Sequence, residues 1–189
     1  MVCLPAVPLS VNLAACSLAD TGLVDQLDAL MRRHGLTPRS LTLEMTETML
    51  MRDIESASAL LEALHARGYG LSLDDFGTGY SSLGYLKRFA VDELKIERAF
   101  VTDAARDSHD GALAAAIIAL GRVLGLKIVG EGVETPEQSA FLLRRGCNVQ
   151  QGYLFSRPVP AAAFEALLRG GPIAAGEAVA ARSPQATAQ

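Results

Sequence analysis

The sequence predicts an α/β domain built on a parallel sheet of six strand–helix units. Three observations predict it. Short apolar runs alternate with longer amphipathic stretches along most of the chain, the amphipathic stretches carry helix start and stop residues, and polar or acidic residues recur at the ends of the apolar runs. Strand, helix, strand is the order that joins parallel strands by crossover helices. An open doubly wound sheet and a closed barrel both satisfy this pattern, and periodicity does not choose between them.

The strand-like runs cover residues 9–13, 41–45, 70–74, 93–96, 127–130 and 148–151. The stretches between and after them predict helices over 20–34, 53–67, 81–89, 111–124, 136–145 and 161–168. In the second of these, Ile54, Ala57, Leu61 and Leu64 recur at spacings of three and four, which draws one apolar stripe along a helix. Gly68 then suits a left-handed cap, and Gly35 and Gly146 close two other helices in the same way. Thr135 followed by Pro136 and Glu137 reads as an N-cap with proline at the first helical position. From Gly170 the chain becomes rich in Ala, Gly, Pro, Ser and Gln with no apolar period. The expected organisation is one domain over 1–169 and a disordered tail over 170–189.

Composition narrows the function classes. The chain has 189 residues, 50% hydrophobic and 20% charged, which suffices for a buried core. No apolar run approaches the roughly 18 residues of a membrane helix. The start, MVCLPAVPLS, lacks the basic and apolar regions of a signal peptide. A formal charge of −4 disfavours non-specific binding to nucleic-acid polymers, and 5% aromatics with no Trp disfavours a base-stacking platform. Cys3, Cys16 and Cys147 are odd in number and widely spaced, which predicts free thiols and a cytoplasmic setting.

The polar residues on the strands carry the chemistry. Asn12 lies in the first run, Glu44 near the end of the second, Asp74 and Asp75 at the end of the third, and Lys95 in the fourth. Glu131 follows the fifth run, with Glu134 three residues on, and Gln151 ends the sixth. In a parallel α/β domain all strand C-termini open on one face, so these groups converge there. Gathered carboxylates repel one another unless a cation lies between them, and oxygen ligands select Mg²⁺ or Mn²⁺. A lysine in the same crevice suits the charge that develops on a phosphoryl group. His34 and His65 fall late in helices and His109 in a loop, with no zinc-ligand spacing. No G-x-S-x-G elbow occurs, and D-F-G stands without the other kinase motifs. The glycine-containing run from Asp75 to Ser82 reads both as a tight turn, with Ser81 capping the next helix, and as a mobile loop beside the metals.

Taken in order, SVNLA, LEMTE, LDDFGTGYSSLGYL, ELKIERAFV, KIVGEGVET and QQGYLFSRP resemble the EAL family of cyclic-di-GMP phosphodiesterases. The resemblance runs from about Val11 to Leu168. It implies a modified TIM-type barrel in which one strand opposes the others, and hydrolysis of cyclic di-GMP to linear pGpG at a two-metal site of Mg²⁺ or Mn²⁺. By motif, Asn12, Glu44 and Asp74 match ligands of the first metal and Asp75 a ligand of the second. Lys95 matches the lysine near the attacking water, and Glu131 the residue proposed as general base or metal-site acid. Glu134 and Gln151 match further active-site positions. Glu47 matches the glutamate that holds the DDFGTGYSSL loop.

The departures from the family pattern are specific. No segment before Ser10 resembles the Glu-Ala-Leu strand, which carries one metal ligand and lies near a substrate arginine. The resemblance therefore implies an incomplete barrel of about six βα units, lacking the family's first two strands. Gly130 replaces an alanine, Glu97 an aspartate and Asn148 an aspartate. The expected function is phosphodiester hydrolysis of cyclic di-GMP, impaired in this chain. The alternatives are a module that binds cyclic di-GMP without cleaving it, and a homodimerising or non-functional fragment.

Overall fold

The computed structural model describes residues 7–77, 83–104 and 109–170. Most of the GTGYSS loop with Ser81, the tail beyond Gly170 and Cys3 therefore lie outside the described residues. Six strands form one sheet: β1 (Leu9–Asn12), β2 (Leu41–Thr46), β3 (Gly70–Phe76), β4 (Glu93–Ile96), β5 (Lys127–Gly130) and β6 (Val149–Gln150). Each pairs parallel with the next, in sequence order from end to end. A doubly wound sheet reverses its strand order at a switch point, and this sheet has no reversal. Sequential order with right-handed crossovers puts every helix on the same side. The sheet is accordingly a half-barrel, which decides the choice that periodicity left open.

The helices are α1 (Leu23–Arg33), α2 (Glu47–Leu50), α3 (Ile54–Arg67), α4 (Leu83–Leu86), α5 (Arg98–Thr102), α6 (His109–Val123), α7 (Pro136–Arg144) and α8 (Ala161–Arg169). All six predicted helices have a counterpart, though the one expected over 81–89 is described only as the single turn α4. The short helices α2 and α5 were not expected, because one turn is too short to show a helical period. His109 is a correction: it begins α6 instead of lying in a loop. None of the described helices is long and apolar enough to cross a membrane.

Side-chain alternation along each strand separates two environments. Leu43 and Met45 of β2, Leu71 and Leu73 of β3, Leu94 and Ile96 of β4 and Ile128 of β5 are buried in the hydrophobic core. Leu61 and Leu64 of α3, Ile117 and Ile118 of α6, and Phe141 and Leu142 of α7 belong to the same core. The intervening residues Glu44, Ser72, Asp74, Glu93 and Lys95 lie on the opposite, concave face and bond to one another. A TIM-type barrel usually fills that interior with branched apolar side chains. Here the sequence makes it polar.

Beyond the sheet, α1 is held by a network at the ends of α3 and β3. The buried Tyr69 donates from its hydroxyl to Asp28 Oδ1 at 2.9 Å, and Arg67 bonds Asp28 from the other side. Burial, followed by the hydrogen bond and the charge of Asp28, pushes the phenol up to about 12. Because the folded value lies above the unfolded 10.0, this contribution is complete below pH 10 and is lost as pH rises toward 12. Tyr69→Phe should lower neutral-pH stability by about 1.5–3 kcal/mol, the range for a hydrogen bond to a charged group. Denaturant unfolding at neutral pH and at pH 11.5 should show that gap narrowing at the alkaline value. A constant gap would contradict the assignment.

Candidate active site

The site is built at the C-terminal ends of the central strands. Glu44 lies in the buried middle of β2, Asp74 is registered beside Thr46 one strand over, and Lys95 lies on β4 with its ammonium enclosed. Glu131 follows β5, fixed where its backbone N–H donates to Ile96 O at 3.1 Å. All three carboxylates turn onto one atom. Lys95 Nζ lies 2.6 Å from Glu131 Oε1, 2.8 Å from Glu44 Oε2 and 3.1 Å from Asp74 Oδ2. The lysine side chain is 5% exposed, and the carboxylates are 19%, 10% and 14% exposed in the same order.

A β-bulge brings Asp75 to the same place. Leu73 pairs with Leu94 and Phe76 with Ile96, so β3 spends one more residue than β4 across this interval. Asp75 has φ of 55°, the only positive value at a non-glycine among the described residues. Backbone strain of this kind concentrates at functional sites. Its amide donates to Asp74 Oδ1 at 2.9 Å, which locks the two aspartates in sequence.

The electrostatics are short of positive charge. Burial is the largest influence on Glu131 and raises its pKa; Lys95 opposes this, while Asp74 and Glu44 add to it. Asp75 is also raised, by burial and then by the neighbouring Asp74. Burial alone would lower the Lys95 ammonium, but its bonds to Glu131 and Glu44 and the charge of Asp74 leave it well above the usual lysine range. Among the described residues no three or more His, Cys, Asp or Glu groups are arranged by themselves to hold a metal ion. The carboxylates turn onto Lys95 instead. The donors are nevertheless all oxygens, and two of the acids are held above the usual carboxylate range, chiefly by burial. A hard divalent cation fits that deficit.

Other predicted site residues stand around this centre. Asn12 is registered opposite Glu44 but is exposed on the outermost strand. Glu47, buried at the start of α2, accepts from the Gly77 N–H at 3.3 Å and so holds the chain just past the bulge. Glu134 is not in the central cluster; it pairs with Arg98 Nη2 at 2.8 Å. Gln151 is exposed, and its backbone accepts from Val133 N and donates to Gly130 O. Sequence reasoning missed Arg98, which lies within ELKIERAFV but received no role there. It also missed the layer below, where Ser72 donates to Glu93 Oε1 at 2.9 Å and Lys127 reaches Glu93 Oε2 at 2.6 Å. The period-two spacing of Glu93 and Lys95 was the available signal for that layer.

Lys95→Met keeps the chain length and removes the charge. It should cost about 3–5 kcal/mol at neutral pH, because it leaves buried carboxylates without their partner. Protonation relieves that repulsion, so the gap to the parent should shrink between pH 7 and pH 5. Equal melting temperatures at pH 7 would contradict the picture of one ammonium neutralising the cluster.

Comparison with known proteins places this geometry in context. The family model described as EAL domain matches residues 3–158. MucR of Pseudomonas aeruginosa, described as a bifunctional diguanylate cyclase/cyclic di-GMP phosphodiesterase, is 54% identical over 153 residues, covering 81% of this chain and 22% of that protein. The cyclic di-GMP phosphodiesterase NbdA of the same organism is 48% identical over 161 residues, covering 85% of this chain and 21% of its own length. This chain thus spans about a fifth of the length of these curated relatives. The solved MucR phosphodiesterase in complex with c-di-GMP superposes with a TM-score of 0.79 at 53% identity, covering 83% of this chain and 64% of that one. The manganese and cyclic di-GMP complex of BlrP1 from Klebsiella pneumoniae superposes at 0.75 with 36% identity, covering 80% and 39%.

Proposed function

The chain belongs to the EAL domain family, and from that premise we propose that it is a metal-dependent phosphodiesterase domain that hydrolyses cyclic di-GMP to linear pGpG. The observation that carries the proposal is the convergence of Glu44, Asp74 and Glu131 on Lys95, with Asp75 beside them on a bulge. Relatives with c-di-GMP phosphodiesterase activity in their names, and solved relatives holding cyclic di-GMP with manganese, support the choice of substrate and cation.

In this reading Asn12, Glu44 and Asp74 would hold one Mg²⁺ or Mn²⁺ ion, Asp75 would contribute to holding a second, and Glu131 would complete the acid set. Bound there, the cations would polarise the scissile phosphate and acidify a water. The chain's own groups do the rest. Glu131, with its carboxyl raised by burial, accepts a proton from the attacking water. The water oxygen bonds to phosphorus as the P–O3′ bond breaks, and the leaving oxygen takes a proton from solvent to become the 3′-hydroxyl of pGpG. Lys95, the cation inside the cluster, stabilises charge gathering on the phosphoryl oxygens. Glu47 holds the backbone after Asp75 and thereby the orientation of the two aspartates. Gln151, exposed, and Glu134, paired with Arg98, would meet the remainder of the dinucleotide.

One observation favours the alternative of binding without cleavage. Asn12 lies exposed on the edge strand, less restrained than the three central acids. Chromatography of cyclic di-GMP incubated with the purified chain and Mg²⁺ or Mn²⁺ separates the readings. The expected result is pGpG formation that falls at least about 100-fold in Glu131→Gln, the scale of a lost general base. Tight binding without product would select the binding module instead.

A further inference from the structure

Gln138 is buried at the third position of α7, although the helix cap it completes needs only part of its chemistry. Its side-chain oxygen accepts from the N–H groups of Glu134 at 2.7 Å and Thr135 at 3.0 Å, while its own N–H donates to Thr135 Oγ1 at 3.3 Å. This is a capping box, and a glutamate would make it equally well or better at a helix N-terminus. The amide nitrogen does something a carboxylate cannot. Nε2 donates to Thr102 O, the end of α5, at 3.1 Å.

We propose that Gln138 is a positioning residue that fastens the Glu131–Thr135 loop to α5, and so fixes the acids of that loop relative to Lys95. The two segments start from adjacent strands: β4 carries Lys95 and leads into α5, and β5 leads into Glu131 and the loop. Arg98 and Glu134 also link them, but that pair is 61% and 41% exposed and contributes little. The loop is packed close elsewhere, which makes a small shift at Gln138 consequential. Gly132 has φ of 65°, and a Cβ there would lie 2.3 Å from the Arg98 stem. A Cβ on Gly152 would lie 2.1 Å from Val133 O. The fastening stands on geometry alone; its kinetic consequence rests on the phosphodiesterase reading.

Gln138→Glu at pH 8 separates positioning from capping, since it keeps the acceptor and replaces the donor with a second acceptor facing Thr102 O. Amide hydrogen exchange over residues 131–135 should accelerate about tenfold while the melting temperature stays within about 2 °C of the parent. In a chain that turns over, kcat should fall about tenfold with KM within about twofold, as a misplaced catalytic group requires. Unchanged exchange would overturn the proposal. So would a variant that fails to fold, or a rise in exchange throughout the chain with a lower melting temperature, because either marks a structural role. An unchanged kcat in an active chain would overturn it as well. If the parent makes no pGpG, the phosphodiesterase reading fails and the exchange measurement alone decides the fastening.

Discussion

One ammonium holds the centre of this protein together. Lys95 is enclosed on the concave face of a parallel sheet, and carboxylates from β2, β3 and the end of β5 close on it within 3.1 Å. Each group alone would be expensive to bury, since an unpaired charge in a protein interior costs several kcal/mol. Together they offset one another only in part, because three acids face one base. Burial first, and then the neighbouring acids, hold the Glu131 and Asp75 carboxyls above their ordinary values. A structure tuned only for stability would place branched apolar side chains here. The arrangement keeps a deficit of positive charge at the mouth of the half-barrel, a condition that a hard divalent cation would relieve.

That centre depends on strand order more than on any single residue. Sequential parallel pairing places the ends of β2, β3, β4 and β5 side by side, so Glu44 and Lys95, 51 positions apart in the chain, meet at hydrogen-bond distance. Alternation sends Leu94 and Ile96 into the core and leaves Glu93 and Lys95 for the interior of the half-barrel. The extra residue at Asp74–Asp75 breaks the alternation at one point, where two consecutive acids belong to the same site. The local cost is a left-handed aspartate, tolerated because Phe76 re-enters the core and Gly77 is held by Glu47.

Much of this was legible before any coordinates. The strand runs, the caps at Gly68 and Thr135, and the acids at strand ends all follow from local chemistry, and the motifs from LEMTE to QQGYLFSRP carried the family. What local chemistry could not supply was the direction of each acid. Glu131 and Glu134 both follow β5 closely, yet one turns to Lys95 and the other to Arg98. Strand order was likewise hidden, because periodicity measures burial within a segment and says nothing about neighbours. Gln138 was passed over while Thr135, its partner in the same cap, was recognised. A capping box looks like a purely local device until the amide nitrogen is seen to reach another helix.

The position of each site residue in the sheet sets how firmly it is held. β2, β3 and β4 are paired on both sides and buried in their middle residues, and they carry Glu44, Asp74 and Lys95. β1 is paired on one side only and is exposed along its whole length, with Leu9 and Val11 open to solvent. Local opening follows burial and pairing, so β1 opens more readily than β2, β3 and β4. Asn12 lies at its end, opposite Glu44 in register. The central acids are therefore preorganised by the fold, whereas the geometry at Asn12 depends on whatever stabilises the β1 edge. Were a cation shared by Asn12 and Glu44 as proposed, its binding and the order of that edge strand would be linked: the cation would tighten β1, and any group that pairs with β1 would strengthen cation binding by the same factor.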